Sequence, residues 1–242
     1  MSRRALDEDY MFMKGWASAD FGKRNAALDS QYAALERRFF ARSNSIIELG
    51  FGGGYLLSFL RERNRRVIGY EISEPLVEKA VKNGYDAYTI DQFTTDRHQP
   101  IAVDAIIALD VFEHMNDETI LTIMQAVRKS LKPDGKLVIR TPNAASPLGI
   151  HYQFSDWTHV TMWSPPYADH CARRSGLVLT SITGEFDFPA ATGLKGILHR
   201  LRNLALKSLE WIMQQTLYRG SSFRLSPNLY FEFTLGGFRQ ND

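Results

Sequence analysis

Residues 48–54 (Glu-Leu-Gly-Phe-Gly-Gly-Gly) combine a carboxylate with four glycines at a spacing that suits ligand binding. Glycine has no side chain to keep a ligand away from the backbone, and it readily adopts the left-handed conformations of tight turns. A helix that starts directly after such a turn offers unpaired N–H groups and a partial positive charge to an anion. The segment therefore predicts that Gly50, Gly52 and Gly54 hold a pyrophosphate or a carboxylate.

The glycine spacing differs from that of the dinucleotide-binding fingerprint, which is G-x-G-x-x-G. Counted from Gly50 the sixth position is Tyr55, and counted from Gly52 it is Leu57. Neither register supplies the third glycine, so the pattern favours a different ligand.

A second set of candidate chemical groups lies in residues 154–160 (Phe-Ser-Asp-Trp-Thr-His-Val). An imidazole has an unperturbed pKa of about 6.5, so His159 could take a proton from a hydroxyl nucleophile near neutral pH. Asp156 could orient the ring. The same two side chains could instead bond to each other and to the backbone, and so fix the loop. His151 is a second candidate base.

Alternating apolar segments and helical patterns must position these groups. The spacing predicts one amphipathic helix over residues 25–42, followed by strands and helices in alternation. The predicted strands are residues 45–49, 67–71, 85–90, 105–109, 136–140, 177–182 and 229–235, and the predicted helices are residues 55–62, 73–83, 116–131 and 165–175. Such alternation is typical of an α/β protein with a parallel sheet covered on both faces.

The pattern Glu48-x-Gly50-x-Gly52-x-Gly54 resembles the first motif of the class I S-adenosylmethionine-dependent methyltransferases. Residues 108–114 and 131–136 resemble the fourth strand of that family and the turn before its fifth strand. The resemblance covers about residues 45–182. It implies a doubly wound, Rossmann-like, mostly parallel seven-stranded sheet with an antiparallel last strand, and S-adenosylmethionine as the cofactor.

The resemblance also implies roles for individual residues. Glu71 would accept hydrogen bonds from the ribose hydroxyls, and Asp91 would lie near the adenine amino group beside the backbone of Gln92. Asp110, at the carboxyl edge of the sheet, joins the cofactor site. Alternative roles stay open for three of these residues. Glu48 would hold the turn rather than take part in the chemistry. Glu71 could be an ordinary acid at the end of a strand, and Asp91 could be a polar loop residue. A dehydrogenase would also place an acid at Glu71.

The segment 156–160 resembles the D-x-T-H-V signature of small-molecule methyltransferases associated with polysaccharide and O-antigen biosynthesis. It implies O-methylation of a sugar or a lipid-linked sugar intermediate. The alternatives are a quinone or lipid-precursor acceptor, and a non-catalytic module that binds S-adenosylmethionine. The acids Asp110, Glu113 and Asp156 look too scattered in the sequence to indicate a metal site, so no metal is predicted.

Two segments fall outside the predicted sheet. Residues 1–24 form a leader whose aromatic residues Trp16 and Phe21 could line the site or join the core. Residues 189–226 form a helical insertion before the last strand. Its part from 194 to 218 has one apolar stripe with basic residues beside it, which predicts an amphipathic helix. That helix either packs over the end of the sheet as a lid on the acceptor site or lies on an anionic membrane surface.

Composition limits the remaining possibilities. The chain has 242 residues and a net charge of +2, which favours a single domain and gives no sign of a nucleic-acid partner. Cys171 is the sole cysteine, so no internal disulfide can form, and no apolar run is long enough to span a membrane. We therefore expect a cytoplasmic protein, peripheral to the membrane if the insertion binds lipid. The oligomeric state is left open.

Overall fold

Seven strands form one mixed sheet in the computed structural model, which describes residues 14–16, 20–95, 102–188, 193–219 and 223–236. The strands are β1 (Ser45–Leu49), β2 (Arg66–Glu71), β3 (Asp86–Thr89), β4 (Val103–Leu109), β5 (Leu131–Pro142), β6 (Leu177–Gly184) and β7 (Asn228–Leu235). Their order is β3-β2-β1-β4-β5-β7-β6. Strand β1 pairs in parallel with β2 and β4, and β2 with β3, whereas β7 is antiparallel to both β5 and β6. The predicted mostly parallel sheet with an antiparallel last strand is confirmed.

The described helices connect these strands in the predicted alternation. They are α1 (Ala26–Leu35), α2 (Tyr55–Glu62), α3 (Glu74–Lys82), α4 (Ile90–Thr94), α5 (Asp117–Ser130), α6 (Pro147–Ser155), α7 (Pro165–Ser175) and α8 (Gly193–Thr216). A π-helical turn, Glu36–Phe40, continues α1. Among the described residues no helix is both long enough and apolar enough to cross a bilayer.

Two boundaries and one additional helix illustrate how the structure differs from the sequence prediction. The third strand ends at Thr89, because the Thr89 and Gln92 side chains form a capping box that starts α4. Strand β5 begins at Leu131 and includes the predicted turn 132–135. Helix α6 was not predicted, although its signal is present: Ser146 caps it by accepting a hydrogen bond from the Leu148 N–H, and Pro147 follows.

The chain divides into two compact units. The first comprises residues 1–108 and 129–135, and the second comprises residues 109–128 and 136–242. In the first unit, the apolar side chains of β1, β2 and β4 are buried together with those of α2. The end of the leader is part of this unit, because Arg24 pairs with Asp29 (2.6 Å) and Glu62 (2.5 Å) and donates to the Ser58 hydroxyl.

The core of the second unit is aromatic. The Trp163 ring is fully buried and contacts the rings of Phe112, Tyr167 and Phe231, with centroid distances of 5.2 to 5.8 Å. Trp163 directly follows residues 154–162, which include the candidate base. Because large buried aromatics fix the segments that carry them, this packing anchors one end of that segment.

Candidate functional site

The glycine turn lies between β1 and α2, in the first unit. Gly50, Gly52 and Gly54 all have positive φ values, of 70°, 51° and 73°. A Cβ atom at Gly52 would lie 2.7 Å from the Trp16 ring, and one at Gly54 would lie 2.1 Å from the Phe21 ring. Backbone conformation therefore favours glycine at all three positions, and at Gly52 and Gly54 the two rings also occupy the space of a side chain.

The carboxylate of Glu71, at the end of β2, is bonded to the turn. Its Oε2 accepts a hydrogen bond from the Gly52 N–H (2.9 Å), and its Oε1 accepts from the N–H groups of Ile72 (2.8 Å) and Ser73 (3.3 Å). Glu71 therefore holds the turn and the start of the next loop together.

Glu48 is buried in β1, two residues before the turn. Burial, together with the negative charge of Glu71, raises the pKa of the Glu48 carboxyl well above its usual range. Its Oε2 atom has no hydrogen-bond partner among the described residues. A buried acceptor of this kind is costly unless a donor meets it. The glycine turn and Glu48 together fit a ligand that brings a cationic amine and an anion to this place.

The other three residues predicted to bind the cofactor make contacts within the protein. Asp91 is exposed in α4, and its carbonyl accepts the Thr95 N–H, while the Gln92 side chain accepts from the Thr89 N–H in the capping box. Asp110 belongs to the second unit, has a left-handed φ of 56°, and forms a two-bond ion pair with Arg140. The Asp110 carboxylate thus neutralises a largely buried guanidinium. Its predicted role toward the cofactor stays a prediction.

Two aromatic residues of the leader, Trp16 and Phe21, pack against the glycine turn. Phe21 is half-buried against the rings of Phe51 and Tyr85, at centroid distances of 6.0 and 5.2 Å. Trp16 lies against the glycine turn, and its carbonyl accepts a hydrogen bond from Lys79 Nζ (3.1 Å). Aromatic side chains thus cover the turn on the side of the leader. The other leader residues that the prediction included, 1–13 and 17–19, lie outside the described residues.

The candidate base lies in the second unit, in a cluster with two carboxylates and a second histidine. His159 Nε2 is 3.9 Å from Glu113 Oε1 and 4.0 Å from Asp156 Oδ2. The His114 and His159 rings are 4.7 Å apart, centroid to centroid. The Glu113 side chain is 1% exposed and that of His159 is 8% exposed. Folding has therefore brought together groups that are 46 residues apart in the sequence.

Hydrogen bonds determine which nitrogen of each ring is available. His159 Nδ1 lies 3.0 Å from the Gln153 carbonyl, which can only accept, so Nδ1 carries the proton. The Thr158 hydroxyl lies 2.6 Å from Asp156 Oδ1 and 2.8 Å from His114 Nδ1. Since a hydroxyl has one proton and a carboxylate only accepts, Thr158 donates to Asp156 and accepts from His114. Among the described residues, Nε2 of His159 has no hydrogen-bond partner, so it can accept a proton or bind a cation.

Asp156 was predicted to orient the His159 ring, but its carboxylate bonds to Thr158 instead. Asp156 Oδ1 accepts from both the N–H and the hydroxyl of Thr158, so this carboxylate orders the loop. The Gln153 carbonyl, rather than Asp156, orients the His159 ring. Both of the interpretations drawn from the sequence are therefore represented: a fixed loop, and an imidazole whose Nε2 faces carboxylates.

The same cluster contains donors of the kinds that bind divalent metals. Glu113, His114 and His159 each offer one ligand atom, and these atoms lie within 4.8 Å of one another. Sequence spacing did not reveal this grouping, because His159 reaches it only through the fold. The adjacency of Glu113 and His114 after β4 was the available signal. Carboxylate and imidazole donors suit Zn²⁺, Mn²⁺ or Fe²⁺.

Comparison with known proteins adds an independent finding. A family model described as "Methyltransferase domain" matches residues 22–188, which is more than half of the chain. The chain is 30% identical over 106 residues to a "Ubiquinone biosynthesis O-methyltransferase" of Idiomarina loihiensis, covering 40% of this chain and 42% of that protein. A protein of the same name from Alkalilimnicola ehrlichii is 26% identical over 160 residues, covering 57% and 62%.

The fold is shared with solved structures at lower sequence identity. A crystal structure described as a SAM-dependent methyltransferase from Archaeoglobus fulgidus superposes with a TM-score of 0.59 at 15% identity, covering 93% of this chain and 98% of that one. This likeness concerns the fold. The chain spans about half the length of the curated relatives that it matches.

Proposed function

The chain belongs to the methyltransferase-domain family, and from that premise we propose that it binds S-adenosylmethionine and methylates a hydroxyl group of a small molecule. The observation that carries the proposal is the glycine turn of the first unit. Three features suit the amino-acid and ribose parts of this cofactor: the left-handed glycines, the carboxylate of Glu71, and buried Glu48, whose Oε2 has no partner in the described part of the chain.

We assign the cofactor contacts as follows. The backbone of Gly50, Gly52 and Gly54 approaches the methionine part, and Glu48 accepts from its ammonium group. Glu71, which lies at the end of β2 beside the turn, accepts from the ribose hydroxyls. Asp91, Gln92 and Asp110 remain the proposed residues around the adenine and the carboxyl edge of the sheet. When bound, S-adenosylmethionine supplies an electrophilic methyl group on a sulfonium.

His159 is the proposed general base. A neutral hydroxyl is a weak nucleophile, and a base within hydrogen-bond reach that removes its proton contributes typically 10²–10⁴-fold to the rate. Nε2 of His159 is the atom that takes this proton, because Nδ1 is bonded to the Gln153 carbonyl. The carboxylates of Glu113 and Asp156, about 4 Å from Nε2, stabilise the imidazolium that results.

The acceptor is proposed to be largely apolar, as a quinone or lipid precursor is. Support comes from the side chains that flank His159, since Phe154, Trp157, Val160 and Met162 are all exposed. A free sugar would need a dense set of polar partners there instead. The names of the two relatives, which describe O-methylation in ubiquinone biosynthesis, point in the same direction. A lipid-linked sugar, whose lipid is equally apolar, is the second candidate.

The test is a methyl-transfer assay with labelled cofactor against phenolic quinone precursors, lipid-linked sugars and nucleotide-sugars. We expect turnover with acceptors that carry an apolar chain. His159→Ala should lower kcat by about 10²-fold or more while leaving the Kd for S-adenosylhomocysteine nearly unchanged. His170→Ala, which removes an exposed histidine of α7, is the matched control and should keep wild-type turnover.

Three outcomes would contradict parts of the proposal. Unchanged turnover in His159→Ala removes His159 as the base. Cofactor binding without turnover on any of the acceptors supports a non-catalytic binding module. Loss of activity in EDTA that returns with a divalent cation assigns the His159 cluster to metal binding instead of proton transfer.

A further inference from the structure

Helix α8 is attached to the second unit by its polar side chains. Asn203 is buried and donates to the Phe186 carbonyl (3.3 Å). Glu210 Oε2 accepts from the Leu225 N–H (2.7 Å), and Gln214 Nε2 donates to the Phe223 carbonyl (2.7 Å). Because these residues fall on one side of the helix, the side of α8 that packs against the protein is its polar side.

The opposite side of α8 is exposed and mainly apolar, and its polar residues are Ser208, Gln215 and Thr216. At 3.6 residues per turn, its exposed apolar residues occupy an arc of about 160°. They are Ile197, Leu198, Leu201, Leu204, Ala205, Leu209, Trp211 and Ile212. The largest exposures in the arc are those of Leu204 (63%) and Trp211 (62%). Leu194, which the sequence analysis placed on the same stripe, has a side chain outside the described set. We refer to this arc as the outward face.

This orientation is the reverse of the usual one. A helix on the surface of a water-soluble protein buries its apolar stripe and presents polar residues to solvent. A contiguous exposed apolar surface marks an interaction site. The stripe is therefore exposed in the described residues, and the placement of the helix as a lid stays a prediction. An apolar medium or partner is needed to cover the outward face.

Charges around the outward face indicate which kind of partner covers it. The arc contains no charged residue; Arg200 and Lys207 lie along one edge and Arg202 along the other. Lys207 pairs with Asp187 (2.8 Å), so the two arginines supply the excess charge. The sole acid of α8 is Glu210, and it is bonded inward. Apolar side chains bordered by cations complement a bilayer that contains anionic lipid.

We propose that α8 lies in the plane of an anionic membrane, with the outward face inserted among the lipids. A second copy of this chain is a poorer occupant, because pairing two outward faces would bring the flanking arginines of both copies together. Trp211 suits the interfacial region, since indole rings concentrate at the boundary between headgroups and acyl chains. The inference goes beyond the proposed reaction and does not rest on it.

Co-sedimentation of the full chain with vesicles tests the proposal. We expect binding to vesicles that contain phosphatidylglycerol, weaker binding to pure phosphatidylcholine, and a decrease as salt rises from 20 to about 500 mM. The double variant Leu201→Glu, Leu204→Glu should lose binding. Val81→Glu is the matched control, because Val81 is similarly exposed (54%) on α3 of the first unit, and it should bind like the wild type.

Two further measurements make the result decisive. Arg200→Gln and Arg202→Gln should each weaken binding by roughly fivefold. Trp211 fluorescence should shift to shorter wavelength on the anionic vesicles, and Trp211→Phe should remove that shift without removing binding, so the readout does not depend on a disruptive variant. Absence of pelleting and of any spectral shift at low salt overturns the proposal. Self-association without vesicles that Leu201→Glu, Leu204→Glu abolishes assigns the face to a second copy.

Discussion

At the residue scale, Glu48 is the side chain whose chemistry is most constrained by its surroundings. It is buried, lies close enough to Glu71 for their charges to repel, and has an oxygen without a hydrogen-bond partner among the described residues. A group so placed destabilises the chain by itself. A cationic ligand that pairs with Glu48 would offset this cost. The same substitution should therefore change both the stability of the free protein and its affinity for the ligand.

We predict that Glu48→Gln separates these two effects. Burial raises the pKa of Glu48 above its ordinary value of 4.5, so the folded state binds the proton more tightly than the unfolded state. Wild-type stability therefore falls as the pH rises above about 4.5, because deprotonation is penalised only in the folded protein. The uncharged glutamine removes this term. Urea unfolding from pH 4.5 to 7.5, without ligand, should give a variant whose stability relative to wild type increases with pH.

The same variant should bind S-adenosylhomocysteine more weakly. Loss of a charge-assisted bond to the ammonium group corresponds to about 10- to 100-fold in Kd. Isothermal titration near pH 7 measures this change, and Glu78→Gln, an exposed acid on α3, is the control. A Glu48→Gln protein with unchanged Kd and an unchanged pH profile would show that Glu48 faces neither the ligand nor a repulsive environment.

At the element scale, the glycine turn and the leader depend on each other. The Gly22 N–H donates to the Gly53 carbonyl (2.8 Å), while the Trp16 and Phe21 rings fill the space that side chains at Gly52 and Gly54 would need. The turn therefore has its conformation fixed from two directions: by Glu71 through the Gly52 N–H, and by the leader through aromatic packing.

We predict that Gly52→Ala is more harmful than its backbone angle alone implies. A left-handed alanine costs roughly 1–2 kcal/mol, and at Gly52 the new Cβ would also displace the Trp16 ring. Gly84→Ala is the matched control, since its φ of 75° is similar but the nearest atom lies 4.0 Å away. Thermal unfolding should rank wild type above Gly84→Ala and Gly84→Ala above Gly52→Ala. Equal losses of stability in the two variants would mean that the Trp16 ring moves aside without an energetic cost.

The elements also explain why the sequence predicted some features and not others. The β1 turn and the acid of β2 are local patterns, so an apolar strand, four glycines and Glu71 were enough to propose where a cofactor binds. The capping box at Thr89 is equally local, but Ile90 extended an apolar run and favoured strand over helix. Boundaries of this sort depend on one side-chain bond.

Contacts between residues that are far apart in the sequence could not be predicted from local patterns. The bond between Thr158 and His114 joins residues 44 apart, and the grouping of Glu113 with His159 depends on it and on the packing of Trp163. The stripe of α8 was predicted from its spacing, but its direction was left open, because three hydrogen bonds to backbone groups decide which side faces the protein. Periodicity locates a stripe and contains no information about what it packs against.

At the scale of the whole molecule, ligand binding and folding are coupled. A ligand that binds only the folded chain stabilises it by about 2.7 kcal/mol at a concentration of 100 times its Kd. For a chain of this size that corresponds to roughly 5–10 °C in Tm. We predict such a shift with S-adenosylhomocysteine. NAD should give none, because Tyr55 and Leu57 stand where a dinucleotide turn needs its third glycine.

Glu71→Gln shows whether that shift comes from the predicted site. Glutamine retains a side-chain oxygen that can accept the Gly52 N–H, so the turn should survive, whereas the charge-assisted bonds to ribose are lost. A 10- to 100-fold weaker Kd would reduce the stabilisation at the same ligand concentration by about half or more. Differential scanning fluorimetry with Glu78→Gln as control measures it. A full shift in Glu71→Gln would place the ligand elsewhere, and a shift with NAD alone would contradict the assignment of the cofactor.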